Sequence, residues 1–216
     1  IPQRLVDDGT ISRFGAVDDT EGGNTSRSNF NVTYRKPIDS NTFIKANTFY
    51  SNYNFELFSN FTFFLEDPIN GDQIKQKETR DIYGINAELN KKIVRDKTDL
   101  LFQLGFGVRD DSTNDSELSH TKNRTEVLEQ IKLGDIDESN VFTYLNTEIR
   151  LGKWLINPAL RLDYFKFGYQ DKLKETYENE TETQVKLSPK LNFIYAQNND
   201  LQFYLKTGTG FHSNDA

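Results

Sequence analysis

Few residues in this 216-residue chain are equipped for metal or nucleophilic chemistry: it holds two histidines and no cysteine. His212 stands in Gly208-Thr209-Gly210-Phe211-His212-Ser213-Asn214-Asp215. An imidazole beside a carboxamide and a carboxylate can contact a polar substrate or a metal complex, which makes His212, Asn214 and Asp215 the candidate substrate-binding residues. The plainer reading is a turn, because Ser, Asn and Asp side chains commonly satisfy nearby backbone groups. No second histidine lies at metal-ligand spacing. His120, between Ser119 and Thr121, reads as a solvated loop position. The carboxylate runs Asp18-Asp19-x-Glu21, Asp110-Asp111 and Glu175 to Glu182 lack the loop spacing that brings about six to eight oxygens onto one calcium ion. Without a Ser-His-Asp order, a phosphate loop or a catalytic carboxylate pair, no enzymatic site, metal site or cofactor is expected.

The elements that must carry these residues are strands. A net charge of −7 leaves no basic stripe for phosphates, so nucleic acid is not an expected partner. Mean hydropathy is −0.71, yet the chain holds 17 Phe and 10 Tyr. So many aromatics in so polar a chain suit a barrel wall, where alternate residues meet lipid and aromatic girdles mark the membrane boundaries. No run approaches the roughly 18 apolar residues of a spanning helix, so any crossing must be made by strands. The chain opens Ile1-Pro2-Gln3, contains no Met and shows no signal-like segment; it reads as a fragment or a processed product.

Period-two alternation marks about eight strands. The first spans 26–36, with Phe30, Val32 and Tyr34 on one face. A long run over 41–66 places Tyr53, Phe55, Leu57, Phe61 and Phe63 toward lipid and Asn52, Asn54, Glu56, Asn60 and Thr62 toward the lumen. Strands follow over 80–94, 99–108, 140–152, 155–169, 184–197 and 200–211. Val127, Leu128, Ile131 and Leu133, in the polar stretch 109–139, suit either a short helix or a strand extension.

Connections alternate short and long, as in outer-membrane barrels with short periplasmic turns and long extracellular loops. The turns near 37–41, 95–98, 152–155 and 198–200 then face the periplasm, and 1–25, 67–79, 109–139 and 170–183 face outside. Trp154, the only tryptophan, falls at a short turn as an interfacial anchor. Asn54, Glu56, Asn60, Asn86, Glu88, Asn146, Glu148 and Arg150 are the expected lumen-lining residues. A soluble β-sandwich or ligand-binding barrel also alternates along its strands, and an eight-stranded barrel can close on itself.

Four segments resemble the barrel of TonB-dependent outer-membrane receptors: Arg13-Phe14-Gly15-Ala16 with Asp18 to Arg27, Asn157-Pro158-Ala159-Leu160-Arg161-Leu162-Asp163-Tyr164, Ser188-Pro189-Lys190-Leu191, and Gly208 to Ala216. They stand in the family's order and cover most of the chain. The resemblance implies an all-β, antiparallel transmembrane barrel, typically of twenty-two strands. Residues 1–216 would form part of that barrel, with the plug domain and the closing strands outside this sequence. It further implies an outer-membrane location in a Gram-negative bacterium and active import of a scarce nutrient: an iron-siderophore, another metal chelate, a vitamin or a saccharide. The implied partners are the receptor's own plug and remaining strands, the TonB complex, outer-membrane lipid and lipopolysaccharide, and a small-molecule substrate. The contrasting reading is a passive porin or structural barrel with no plug.

Overall fold

The structure, a computed structural model, describes residues 2–174 and 179–211. A short helix α1 (Gln3–Asp7) precedes eight strands: β1 (Gly22–Pro37), β2 (Thr42–Ser59), β3 (Ile74–Arg95), β4 (Thr98–Lys122), β5 (Glu126–Leu151), β6 (Trp154–Asp171), β7 (Asn179–Ala196) and β8 (Gln202–Gly208). They form one antiparallel sheet in sequence order. Among the described residues β1 and β8 make no contact with each other. The sheet is therefore open, and a self-closed eight-stranded barrel is ruled out for the described residues.

Cross-strand partners share a face, so the register carries each face around the sheet. The rung Tyr50, Tyr83, Asp110, Ser139, Lys166, Thr183 follows from direct pairing across six strands. Phe30 of β1 extends the rung as the partner of Tyr50, and below it on the same face lie Val32 and Tyr34 of β1, Ile85 and Leu89 of β3, Leu104 and Phe106 of β4, Leu145 of β5, Leu160 and Leu162 of β6, and Val185 and Leu187 of β7. All of these are exposed. The opposite face is polar and crowded: Ser51, Asn90, Asp111, Thr113, Asn140, Asp163 and Asn192 are all buried there. Side chains converge on the inside of a curved sheet, so the polar face is the inner one.

Apolar burial separates a membrane wall from a soluble domain. Among the described residues, Phe58 and Phe165 are the only buried hydrophobic ones, whereas a soluble chain of this size gathers its large apolar side chains into one core. Here they stand outward, which only a lipid solvent rewards. On β4 the outward belt runs from Leu100 to Val108, roughly nine residues or ~30 Å of strand. Tilted at ~40° it spans about 23 Å, close to the ~25 Å apolar band of outer-membrane barrels. Tyr50, Tyr83 and Tyr164 edge the belt on the long-loop side, while Trp154, Tyr195 and Phe203 edge it at the short turns. Trp154 opens β6 with its ring centroid 4.7 Å from that of Tyr195, as its position beside a turn suggests.

Several expectations need correction. The long run over 41–66 is not one strand: β2 ends at Ser59, and residues 60–73 form a loop. Asp72 explains the break. Its carboxylate accepts from the N–H groups of Leu65, Glu66 and Asp67 at 2.7–3.1 Å, which curls the segment despite its alternating pattern. The stretch 109–139 is not a loop either, because β4 and β5 continue through it to the turn 123–125; Val127, Leu128, Ile131 and Leu133 all belong to β5. Similarly, β7 begins at Asn179, ahead of the expected 184.

The faces of β2 are also reversed. Tyr53, Phe55 and Leu57 share the inner face with Arg80, Glu78 and Gln76, whereas Asn54 and Glu56 share the outer face with Thr79 and Lys77. Above the lipid belt the outer face meets water, so the apolar residues there mark the inner side. Phe61 lies beyond the strand and is 79% exposed in the loop.

Candidate functional site

The inner wall is built from short polar side chains that bridge neighbouring strands. Asn192 donates to Asn157 at 2.9 Å, Asn157 to Asn146 at 2.8 Å, Asn146 to Gln103 at 2.5 Å, Gln103 to Asn90 at 3.0 Å, and Asn90 to Glu88 at 2.7 Å. This chain of carboxamides crosses from β7 to β3 with every donor pointing the same way. It ends on a carboxylate, which only accepts and which also takes the Tyr144 hydroxyl. Hydrogen bonds aligned in this manner polarise one another, so the girdle is stiffer than separate pairs would be.

Two ion-paired groups lie nearer the long-loop end. Arg80 grips Asp111 through two bonds at 2.6 and 2.7 Å, and Arg109 adds a third at 2.7 Å. Asp111 is buried, so its charge is compensated only while an arginine stays against it. Arg161 holds the fully buried Asp163 at 2.8 and 2.7 Å, while its guanidinium carbon sits 3.8 Å from the centre of the Phe142 ring.

Inward aromatics lie in adjacent pairs along single strands: Tyr53 with Phe55, Phe142 with Tyr144, and Phe165 with Phe167, at centroid separations of 6.2, 6.4 and 5.7 Å. Residues two apart on a strand point the same way, so each pair forms a flat platform. Phe142 and Tyr144 lie over the backbone of β4 because Gly105 and Gly107 stand beneath them. A Cβ on Gly105 would fall 2.1 Å from the Tyr144 ring, and one on Gly107 would fall 2.3 Å from that of Phe142. Thr33, Lys45, Asn47, Asn86, Glu88, Phe142, Tyr144 and Arg161 help to line a cavity of about 380 Å³ here. Tyr53 and Phe55 line a second, of about 410 Å³, with Gln76, Glu78, Ser116, Leu118 and Lys132.

The expected lumen residues divide between these surroundings. Asn86, Glu88, Asn146, Glu148 and Arg150 stand on the inner face; Glu148 and Arg150 pair at 3.2 Å. Asn54 and Glu56 stand on the outer face, as described above. Asn60 is on neither wall. Beyond the end of β2, its N–H donates to Glu21 at 2.9 Å, its amide to Asp18 at 2.8 Å, and its carbonyl accepts from Phe63 at 2.8 Å. His212, Asn214 and Asp215 lie outside the described residues.

His120 is not a freely solvated side chain, because its Nε2 bonds the Gly71 carbonyl at 2.6 Å. It belongs to a polar junction that sequence reasoning missed. Gln73, 3% exposed, donates to the Thr20 hydroxyl at 2.6 Å and accepts from Thr121 at 3.1 Å and the Arg124 N–H at 2.9 Å. The Arg124 guanidinium in turn donates to the carbonyls of Thr20 and Glu21. Residues 18–21, the 60–73 loop and the β4–β5 tip are thereby fastened together. In this junction burial alone would raise the Asp18 carboxyl, but hydrogen bonds from Thr20 and Asn60 and the nearby Arg124 charge outweigh it and hold the group below its ordinary range.

An antiparallel wall with a lipid-compatible, aromatic-edged outer face and a hydrogen-bonded polar inner face is the wall of a transmembrane β-barrel. The chain belongs to the family described as TonB dependent receptor-like, beta-barrel, whose model matches residues 3–216. Among solved structures it is similar to the ferric citrate transporter FecA in its unliganded form, with a TM-score of 0.73 and 15% identity over 85% of this chain and 27% of that one. It is also similar to the open form of the ferric-catecholate import receptor Fiu from E. coli K12, with a TM-score of 0.66 and 9% identity over 91% of this chain and 38% of that one. At these identities the likeness is one of fold. The chain thus spans well under half of either structure's length. No curated protein matches it by sequence.

Proposed function

We propose that the whole protein is an active-transport receptor of a Gram-negative outer membrane, which binds a scarce nutrient and imports it with energy delivered through TonB. The observation that carries this reading is the two-faced, unclosed wall in a chain of this receptor family. A polar inner face needs something polar to meet, and a plug domain held by replaceable hydrogen bonds and ion pairs meets that need. Asn86, Glu88, Asn146, Glu148 and Arg150 are the proposed plug-facing residues of the described wall. His212, Asn214 and Asp215 are proposed to contact substrate at the outer side. The names of the two similar structures make an iron chelate the first substrate to test, ahead of other metal chelates, vitamins and saccharides. In this orientation the short turns face the periplasm and the β4–β5 hairpin projects outside.

Uptake of radiolabelled ferric chelates by cells carrying the full-length receptor, with and without a proton uncoupler, tests the proposal. Energised cells should accumulate the label and uncoupled cells should not, because the outer membrane holds no energy source of its own. Uptake that survives the uncoupler would replace this reading with that of a passive porin.

A further inference from the structure

Asn70-Gly71, in the 60–73 loop, is the only Asn-Gly step in the chain. Such a step has a chemistry of its own. Glycine puts no Cβ beside its nitrogen, so that nitrogen closes on the preceding carboxamide more readily than any other residue's. Once a base in solvent takes the Gly71 N–H proton, the nitrogen attacks Cγ of Asn70, the Cγ–Nδ2 bond breaks, and ammonia leaves with a proton from water. A succinimide remains. Water then adds to one of its two carbonyls and opens the ring, giving aspartate or isoaspartate, in which the backbone runs through the side chain.

The fold restrains each participant. Gly71 is buried, and its N–H, the nucleophile, donates to the Asp67 carbonyl at 3.0 Å. The Asn70 carboxamide, the electrophile, is clamped at both ends: Nδ2 donates to Asp67 Oδ2 and Oδ1 accepts from Lys122 Nζ, each at 3.0 Å. The Asn70 N–H donates to Asp67 Oδ1 at 2.9 Å, and His120 bonds the Gly71 carbonyl at 2.6 Å. A cation beside Oδ1 also favours the charge that develops there during attack. Restraint outweighs this, because a nitrogen whose proton is engaged and whose target is held in place cannot close the ring. Two of the restraints, Lys122 and His120, belong to the end of β4, so they act only while the loop lies on the hairpin.

We propose that Asn70 is a guarded deamidation site: inert while the 60–73 loop is latched to β4, converted when the loop opens, and unable to re-latch afterwards. The products supply the last step. Aspartate at position 70 turns the contact with Asp67 into two carboxylates at hydrogen-bonding distance, which repel, and Lys122 offsets only one of them. Isoaspartate lengthens the backbone by a methylene and carries the Gly71 carbonyl off His120. Local opening thereby becomes a one-way loosening of the outer loop, at a rate set by how often the loop opens.

The full-length receptor in detergent micelles tests this, incubated at mildly alkaline pH, digested, and assayed for aspartate and isoaspartate at position 70 by liquid chromatography and mass spectrometry. Wild type should convert severalfold more slowly than the same protein unfolded in urea, a comparison that needs no substitution. Lys122→Met and His120→Ala should convert severalfold faster than wild type, and Lys122→Arg at the wild-type rate, with heat-modifiable migration showing that each barrel is folded. Equal rates in the folded and unfolded wild type would overturn the proposal. Slower conversion in Lys122→Met would also overturn it, by making Lys122 an activator instead of a guard. Asn70→Asp should raise amide exchange across residues 65–73, and wild-type protection in that variant would refute the one-way release.

Discussion

Replacing Gly105 with alanine should destabilise the barrel through one identifiable ring. The added methyl would stand 2.1 Å from two carbon atoms of Tyr144 and 2.6 Å from its oxygen. The ring must swing away, and the hydroxyl then leaves Glu88. A hydrogen bond to a charged group contributes about 1.5–3 kcal/mol, whereas alanine in place of a strand glycine returns about 0.5–1 kcal/mol. Gly105→Ala should therefore cost about 1–2 kcal/mol net in the wild-type background. With Tyr144→Ala already present the clash is gone, and the same substitution should be neutral or stabilising by up to about 1 kcal/mol. Urea titration of the full-length receptor folded into liposomes, carried through all four corners of the cycle, measures the coupling. An equal cost in both backgrounds would refute the account of Gly105 as the bed of Tyr144.

Two further perturbations probe the wall and the loops. Leu104 lies at the centre of the β4 belt and is 53% exposed outward, so Leu104→Arg should cost about 2–4 kcal/mol in the same titration, while Thr33→Arg on the inner face of β1 should cost much less; equal costs would mean the faces are misassigned. For Asp72, burial by itself would raise the carboxyl, but the Thr62 hydroxyl and the N–H groups of Asp67, Glu66 and Leu65 outweigh it and bring the pKa down to about 2 from an ordinary 3.8. A depressed folded-state pKa means the stabilisation is present above 3.8 and is lost as the pH falls toward 2, so amide exchange at residues 65–67, after correction for intrinsic rates, should lose protection across that window. Asp72→Asn should show the weaker protection already at neutral pH.

Alternation revealed the existence and order of the strands because lipid imposes it directly: Phe30, Val32 and Tyr34, or Leu104, Phe106 and Val108, must all face one solvent. The same rule assigned β2 to the wrong faces above the belt. There the outer solvent changes from lipid to water, Asn54 and Glu56 turn outward, and Tyr53 and Phe55 turn inward to form a platform. Period two is preserved through that change while its meaning inverts, so the pattern of β2 alone could not locate it. The partner strand held the signal. Lys77, Thr79 and Asp81 continue the outward series that begins at Ile93 and Leu89, and they show where the belt ends.

The polar junction was illegible for a different reason. Gln73, Thr121 and Arg124 belong to no motif, and the residues they join, Thr20 and Glu21, are roughly fifty and a hundred positions away along the chain, so no local pattern can pair them. What a sequence can supply is a condition: a hairpin carried this far past the membrane by β4 and β5 has no apolar core to lean on, and its tip must be held by polar groups with every partner supplied. Gln73 meets that condition by using both its donor and its acceptor, on Thr20, Thr121 and the Arg124 backbone. The guanidinium of Arg124 completes it by binding two carbonyls that belong to no strand partner. The long strands and the junction at their end are consequently one feature, since the height of the hairpin creates the demand that the junction answers.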